Sequence, residues 1–309
     1  MSELSAQAIN ELFIQKLDTD REKFAANAAA YIRVKLREVS FARKIIPPVY
    51  ITKADCQRSL QHDQLVKIVD IEPDSKAMAV NFRGAGDMTY VEGKRFEIAF
   101  YKIESDTFEK AEVELLAYEM PITTIIENNT VKDIQAIEDA GFMSRVEAAL
   151  VVEGSAKKPT AIDTGGLEYP TAEVFASLFN ALEGINDDNS NYRPLKTDTI
   201  LMSNSDWNSL INLPSTTIGS NLAGEITVNG YKYPTLFGKK VIVTSRKNLV
   251  QPGYIYAFAE PAFLGHFFIL NDTKFWIEKK KDIISWVAWE HVGMGFGNTH
   301  SIACQRWNS

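Results

Sequence analysis

The sequence predicts an α+β protein whose helical and extended segments are segregated rather than alternating. Three observations carry this. Ser2 to Arg43 places Ile9, Leu12, Phe13 and Leu17 at helical spacing, breaks at Asp18-Thr19-Asp20, and resumes with Phe24 and an alanine run into Ile32 and Leu36. Met78 to Ala117 then switches to period two, with Phe96, Ile98 and Phe100 alternating with Glu97 and Ala99, and Val113 and Leu115 with Glu112 and Glu114. Beyond Thr199 the chain reads as short strands between Gly, Pro and Asn breaks.

Pro47-Pro48 ends the N-terminal helical region, because proline lacks the amide that a helix interior requires. The end of that region carries Arg33, Lys35, Arg37, Arg43 and Lys44, which the sequence places on a solvated or interface face. The period-two segment is poorly apolar, and a two-stranded ribbon has little stability of its own in water. It therefore needs another surface to lie on.

TVKDIQAIEDAGFMSRVEAALVVEG follows as one long helix. Thr130 with Asp133 reads as a capping box, and Val131, Ile134, Ile137 and Val146 form an apolar stripe to about Leu150. A polar linker from Gly154 to Gly166 leads to a helix after Pro170 with Val174, Leu178, Phe179 and Leu182 on one face. Strands are expected at Thr199–Met202, Val241–Thr244, Tyr254–Phe258, Phe267–Leu270 and Lys274–Glu278, with a short helix from Ser205-Asp206-Trp207 that turns Trp207, Leu210 and Ile211 inward. Asn229-Gly230 between ITV and YKY signals a two-residue hairpin. The last strands, Ile284–Phe296 and Ser301–Trp307, carry Trp286, Trp289, Phe296 and Trp307 and should be heavily buried. The chain contains no internal repeat and no low-complexity tract.

With 309 residues, 45% of them apolar, the chain can bury the core of one large domain or two ordinary ones. Its formal charge of -7 and pI near 5.3 oppose any contact of the whole molecule with nucleic acid or an anionic membrane, so such a contact has to be local. Cys56 and Cys304 show no CxxC spacing, which signals neither a disulfide framework nor a zinc site and fits a reducing compartment. The acidic start MSELSAQAINELF argues against a secretory signal, and no segment has the apolar length to span a bilayer. These features lead to the expectation of a soluble protein, cytoplasmic when made.

Candidate chemistry is sparse. Arg83-Gly84-Ala85-Gly86, within VNFRGAGDMTYVEG, has the glycine pair of a phosphate cradle but lacks the third glycine and the following helix that would supply amides and dipole. A flexible turn is the simpler reading. Asp163-Thr164-Gly165-Gly166 matches the loop of aspartic proteases, yet that chemistry needs a second such loop to share one proton, and none exists in the chain. A linker turn explains it. His62, His266, His291 and His300 match no HExxH arrangement, so packed or interface histidines are expected. With no GxSxG elbow, no GxxxxGK[ST] loop and no cysteine with a base partner, the sequence makes no positive case for catalysis.

The order of elements is itself informative. AMAVNFRGAGDMTYVEGKRFEIAFYKIESDTFEKAEVELLAYEMPIT is similar to the extended loop, and IIENNTVKDIQAIEDAGFMSRVEAALVVEG to the spine helix, of the major capsid proteins of tailed bacteriophages, the Hong Kong 97-type fold. TILMSNSDWNSLINL with LFGKKVIVTSRKNLVQPGYIYAFAEPAFLG resembles that family's axial domain, and KFWIEKKKDIISWVAWEHVGMGFGNTHSIACQRW its closing peripheral strands. The resemblance covers nearly the whole chain.

It implies an N-terminal helical arm at 1–58, peripheral-domain segments at 59–76 and 118–160, an extended loop at 77–117, an axial domain at 161–273 and closing peripheral strands at 274–309. It implies a structural protein that self-assembles into pentamers and hexamers of an icosahedral shell around double-stranded DNA, with no catalytic residue, cofactor or metal. Arm and loop would reach onto neighbouring copies, with Arg83, Gly84, Gly86 and Asp87 at the loop's hinge and Gly293 to Gly297 as a second hinge. Scaffolding, portal and decoration proteins are the implied partners, packaged DNA would meet a weakly charged lumen without sequence-specific contact, and no membrane is involved. The place of residence would be the virion, after synthesis in the bacterial cytoplasm. The helical region begins almost at Met1, so the resemblance implies a separate scaffold or none, and KKKDIISW lacks the asparagine that lysine cross-linking in one branch would use. A bacterial nanocompartment shell is the rival within the fold, and a hydrolase using Asp163 the rival outside it.

Overall fold

Residues 5–59, 63–71, 80–82, 84, 94–117, 120–184, 195–210 and 235–308 are described by the structure, a computed structural model. The Asp18-Thr19-Asp20 break is a shared cap: α1 (Ala6–Thr19) starts where Ser5 accepts the Ala8 amide, and Asp20 ends it while accepting the Lys23 amide to start α2 (Arg21–Val39). Ser40 repeats the device for α3 (Phe41–Ile45) by accepting from Arg43.

Six strands follow in order: β1 (Val49–Tyr50), β2 (Gln57–Arg58), β3 (Leu65–Ile71), β4 (Lys94–Ala99), β5 (Tyr101–Glu104) and β6 (Phe108–Ala111). Then come α4 (Glu112–Ala117), α5 (Ile122–Ile126), a π turn over Glu127–Val131 and α6 (Lys132–Glu153). The rest comprises β7 (Ile162–Asp163), α7 (Ala172–Glu183), β8 (Thr197–Ser203), α8 (Asn204–Ser209), β9 (Thr235–Leu236), β10 (Lys239–Thr244), β11 (Tyr254–Ala259), α9 (Pro261–Leu264), β12 (Gly265–Lys280), β13 (Ile283–Phe296) and β14 (Ile302–Asn308).

The chain divides into two units, Met1–Lys67 with Ala99–Phe142 and Phe267–Met294, and Ile68–Ile98 with Met143–His266 and Gly295–Ser309. In the first unit, among the described residues, the strands run in the order β1-β12-β13-β5, and β6 also pairs with β13. Period two is kept from Lys274 to Ile277 and, except at Val287, from Ile284 to Val292: Phe275, Ile277, Ile284, Trp286, Ala288, Glu290 and Val292 are buried, while Lys274, Trp276, Trp289 and His291 alternate onto the other face. Phe108 and Trp286 sit opposite each other in register with ring centroids 6.0 Å apart. The helices of the same unit bury Phe13, Leu17, Ile32, Leu36 and Phe41, with Phe13 edge-on to Phe24 and Phe41 edge-on to Phe142.

The second unit is built on a sheet of order β7-β14-β11-β8-β10-β9 among the described residues, in which β8 and β10 are parallel and β11 runs antiparallel to both β8 and β14. α7 lays Val174, Phe175, Leu178 and Leu182 against Ile200, Met202, Ile255, Ala257 and Trp307. β11 is buried over Ile255 to Ala259 without alternation, as a central strand covered on both faces must be. The β9–β10 hairpin turns on two left-handed residues, Phe237 at φ 52° and Gly238 at φ 75°. A phenylalanine is strained there, and its ring packs 5.4 Å from Phe175 and 6.0 Å from Phe179. β2, β3 and β4 form a third, three-stranded sheet among the described residues.

Several expectations change. Glu112–Ala117 is the helix α4 rather than strand, because Leu115 packs inward beside α1 while Val113 stays exposed, and a segment so short fits either period. Thr130 caps nothing. The helical run begins at Ile122, and Thr130 lies in the π turn with its Oγ1 buried and without a partner. Phe267–Leu270 and Lys274–Glu278 are parts of the single strand β12. The N-terminal helices pack into the first unit, and β14 lies between β7 and β11 in the sheet of the second. Gly295 belongs to β13, where a Cβ would meet Ile98 at 2.9 Å, and its carbonyl stands 2.4 Å from where a Cβ of Gly265 would be, which makes these glycines points of close approach rather than a hinge. Asn229-Gly230 and Ile211 lie outside the described residues.

Asn10 supplies what Thr130 does not. Its buried side chain accepts from the Ile122 amide at 2.9 Å and donates to the carbonyls of Leu115 at 2.9 Å and Met120 at 3.3 Å, so it caps α5 and closes the end of α4 from a distant part of the chain. Asn10→Ala should lower unfolding free energy by about 2–3 kcal/mol, since it orphans two buried backbone groups and a third that is partly buried. Urea denaturation measures this, and a loss below about 0.5 kcal/mol would show that the cap is dispensable.

Candidate functional site

The basic residues at the end of the N-terminal region do not share one face. Arg37 and Lys44 are exposed, Arg33 is half-buried, and Lys35 lies 3.4 Å from both Glu38 and Glu127. Glu127, in the π turn, also accepts from the Tyr31 hydroxyl at 2.6 Å. Burial and then that acceptor push the tyrosine up to about 12.

Arg43 corrects the expectation of a solvated cluster most sharply: it is 3% exposed. Its Nε donates to the Glu138 carboxylate at 3.0 and 3.1 Å and its Nη2 to Glu290 at 2.9 and 3.0 Å, while Thr273 Oγ1 donates to Glu290 at 3.0 Å. α3 delivers the arginine, α6 one carboxylate and β13 the other. Asp139, next to Glu138 on α6, fixes the angle of α3 by accepting from Ser40 Oγ at 2.9 Å and the Ala42 amide at 3.1 Å. The guanidinium also lies 5.8 Å from the centroid of the Phe267 ring.

One cation faces two buried carboxyl groups. Burial, then Glu290, push Glu138 well above the ordinary carboxylate range against the pull of Arg43. Burial also works against Glu290, but hydrogen bonding from Glu138, Arg43 and Thr273 holds it below. Burial opposes the charge on Arg43, and Glu138 and Glu290 more than offset this and raise it. One cation thus serves two buried carboxyl groups, with Glu138 shifted toward its protonated form and Glu290 toward its charged form.

Sequence reasoning passed over Glu138 and Glu290, although both carry a signal. Glu138 lies four residues from both Ile134 and Phe142 on the buried stripe of α6, and Glu290 alternates in phase with Ala288 and Val292. A carboxylate in a buried phase demands a buried cation.

The other singled-out positions stay apart. Gly84 donates its amide to Asn81 O at 2.7 Å in a tight turn, while Arg83, Gly86 and Asp87 lie outside the described residues. Asp163 is exposed and accepts from the Gly165 amide at 2.9 Å, a turn completed by Gly165 and Gly166 at φ 67° and 84°. His62 lies outside the described residues, and His300 Nδ1 meets Glu153 at 2.9 Å. Among the described residues no group of three His, Cys, Asp or Glu side chains could hold a metal ion. Burial, then Glu147, push the Cys304 thiol up to about 12, which keeps it protonated.

What the described surface does offer is uncovered apolar side chains. Val151 and Val152, at the end of α6, are 77% and 75% exposed, and Val113 on α4 is 73% exposed. No helix of the described residues is long and apolar enough to cross a membrane.

Arg43→Met should destabilise the protein by about 3–5 kcal/mol, because two buried carboxyl groups lose their cation. Glu138→Gln keeps the hydrogen bonds and should change stability at neutral pH by less than about 1 kcal/mol. The pH profile separates the two acids. The raised Glu138 contributes stability that is complete below its unfolded value and is lost as pH climbs through its folded value; the lowered Glu290 contributes stability present above the ordinary carboxylate range and lost as pH falls. Urea midpoints against pH should therefore show a decline as pH rises above the ordinary carboxylate range that Glu138→Gln removes, and a decline as pH falls below that range that it leaves.

No family model matches the chain, and no curated protein matches it in sequence. Solved structures do. A structure from Mycobacterium phage Adephagia is 10% identical and covers 87% of this chain and 90% of its own at TM-score 0.57; one from Microbacterium phage Oxtober96, also 10% identical, covers 87% and 91% at 0.56. A virus-like particle from Pyrococcus furiosus is 13% identical and covers 92% and 99% at 0.53. The mixed helices and sheets of this chain adopt the fold of the tailed-bacteriophage major capsid proteins, the Hong Kong 97-type fold.

Proposed function

We propose that the chain is a major capsid protein of a tailed bacteriophage, self-assembling into pentamers and hexamers of an icosahedral shell that encloses double-stranded DNA. The capsid fold carried over 87–92% of the chain is the observation that supports it. The uncovered valines Val113, Val151 and Val152 fit this reading, since apolar side chains left bare on one copy are those a second copy would cover. In this reading the first unit serves as the peripheral domain and the second as the axial domain that meets its copies at the vertices, while arm and extended loop bridge between copies. Arg83, Gly84, Gly86 and Asp87 belong to the bridging loop, and Arg33, Lys35, Arg37 and Lys44 to the N-terminal arm. Scaffolding, portal and decoration proteins are its partners, and it assembles in the host cytoplasm into the virion capsid.

Activity in this reading is geometric, and no residue is assigned to catalysis. Asp163 acts as a turn former. A nanocompartment shell is the second reading, favoured by the likeness to the Pyrococcus furiosus virus-like particle over 99% of that chain.

Negative-stain microscopy of the purified protein tests the proposal: closed shells or capsomer rings are expected, and a stable monomer at high concentration would refute both readings. Nucleic acid in particles purified from cells favours the phage, and enclosed protein the nanocompartment. Val151→Glu with Val152→Glu should leave the unfolding free energy within about 0.5 kcal/mol yet abolish or deform the shells. Normal shells from that variant would remove the end of α6 from the interface.

A further inference from the structure

The outward face of the β12–β13–β5 sheet in the first unit is unusual for so acidic a chain. On β12, Lys274 and Trp276 share this face; on β13, Trp289 and His291; on β5, Lys102 and Glu104. His291 is in direct register with Lys102, and Trp289 with Glu104. The Lys102 ammonium lies 5.3 Å from the centroid of the Trp289 ring, and the Arg21 guanidinium 5.9 Å from that of Trp276, which is itself 38% exposed. Asn271 meets His291 Nδ1 at 3.3 Å.

Positive charge is in excess here. Lys102 stands in register with His291, and Lys274 lies on the strand at the other side of β13; burial, then the fields of Lys102, Lys274 and Lys53, hold the His291 imidazole below its ordinary value. Among the described side chains, Lys53 and Lys274 have no carboxylate within ion-pair distance. Glu104 is paired with Lys102, Glu278 with Lys280, and Asp55 is turned onto the amide and hydroxyl of Thr52. Lys274 on β12 and Lys102 on β5 flank β13, two strand spacings or roughly 10 Å apart, and Lys53 lies in the turn Lys53–Asp55, so the face offers separated cations that a run of phosphates can bridge and a single carboxylate cannot.

We propose that this face binds the phosphodiester backbone of nucleic acid through Lys53, Lys102 and Lys274, with Arg21, Trp276 and Trp289 as its aromatic and cationic flank. Lysine is depleted from the cores of protein–protein interfaces, which argues against a second copy as the occupant. Arg21 is engaged by the Ile277 carbonyl and the Trp276 ring, and the Asn271 amide by His291, so the face reads charge and binding should be blind to sequence. The proposal draws on the shell reading for the source of the nucleic acid, but its chemistry stands apart from assembly.

Fluorescence anisotropy of a short labelled duplex of mixed sequence, titrated with the full-length protein at several salt concentrations, tests it. Lys53→Gln, Lys102→Gln and Lys274→Gln together should weaken binding at least about tenfold and reduce the steepness of its salt dependence by up to about 2.7, at about 0.9 for each phosphate no longer neutralised. Arginine at the same three positions should restore binding, and Lys239→Gln with Lys240→Gln in the second unit should leave it unchanged. No binding by the native protein, or equal binding and salt slope in the glutamine variant, overturns the proposal. So does a glutamine variant that keeps its affinity for the duplex but forms no shells, since the face would then be a contact between copies. Shells that form normally from a protein that ignores DNA defeat this inference alone; DNA binding through these lysines by a protein that never assembles defeats the shell reading alone.

Discussion

The first unit depends on keeping Arg43 charged where it is shielded from bulk solvent. Burying a guanidinium alone would cost several kcal/mol, and two carboxyl groups meet it from different parts of the chain. The arrangement ties α3 to α6 and to β13, with Thr273 bringing in β12. Apolar packing could hold the same elements at many angles. A guanidinium fork bonded to two fixed carboxylates allows few, so the cluster specifies geometry more than it adds stability.

The same logic governs the helix ends. α1, α2 and α3 are capped locally by Ser5, Asp20 and Ser40, while α5 borrows its cap from Asn10. A buried helix start with proline as its preceding residue has no side-chain acceptor of its own, and the orphan amide has to be met from across the fold. The Ser40 cap is doubly used, since its hydroxyl accepts from Arg43 and donates to Asp139. Local and tertiary bonding thereby converge on the segment that presents the buried arginine.

Different devices shape the second unit. Its core is apolar and its buried polar groups serve backbone needs: Lys157 donates to the Ala181 carbonyl at the end of α7, and Gln305 to Thr160 O. Phe237 takes a left-handed backbone and gains contact with Phe175 and Phe179, where asparagine or glycine would turn without strain. The valines left bare at the end of α6 lie outside this internal packing, and in the proposed shell a second copy would cover them. Fold alone does not confer function, and such uncovered side chains are where a shape becomes an assembly.

By itself, the sequence determined the features set by local periodicity and punctuation. The helices of the N-terminal region, the long α6, α7 with Val174, Leu178 and Leu182, and most of the late strands follow from apolar spacing, because a 3.6- or 2-residue period is a local property of the chain. The order of these elements pointed to the capsid fold. Only the tertiary structure decided where that periodicity is too short to discriminate or where a partner lies far away in sequence. Glu112–Ala117 became helix because of what Leu115 packs on, and the start of α5 was set by Asn10 rather than by Thr130. Arg43 moved from an expected solvated face to a buried one because Glu138 and Glu290 converge on it from 95 and 247 residues away. The outward face of β12, β13 and β5 was equally hidden, for its lysines and tryptophans become neighbours only when three distant strands pair in register.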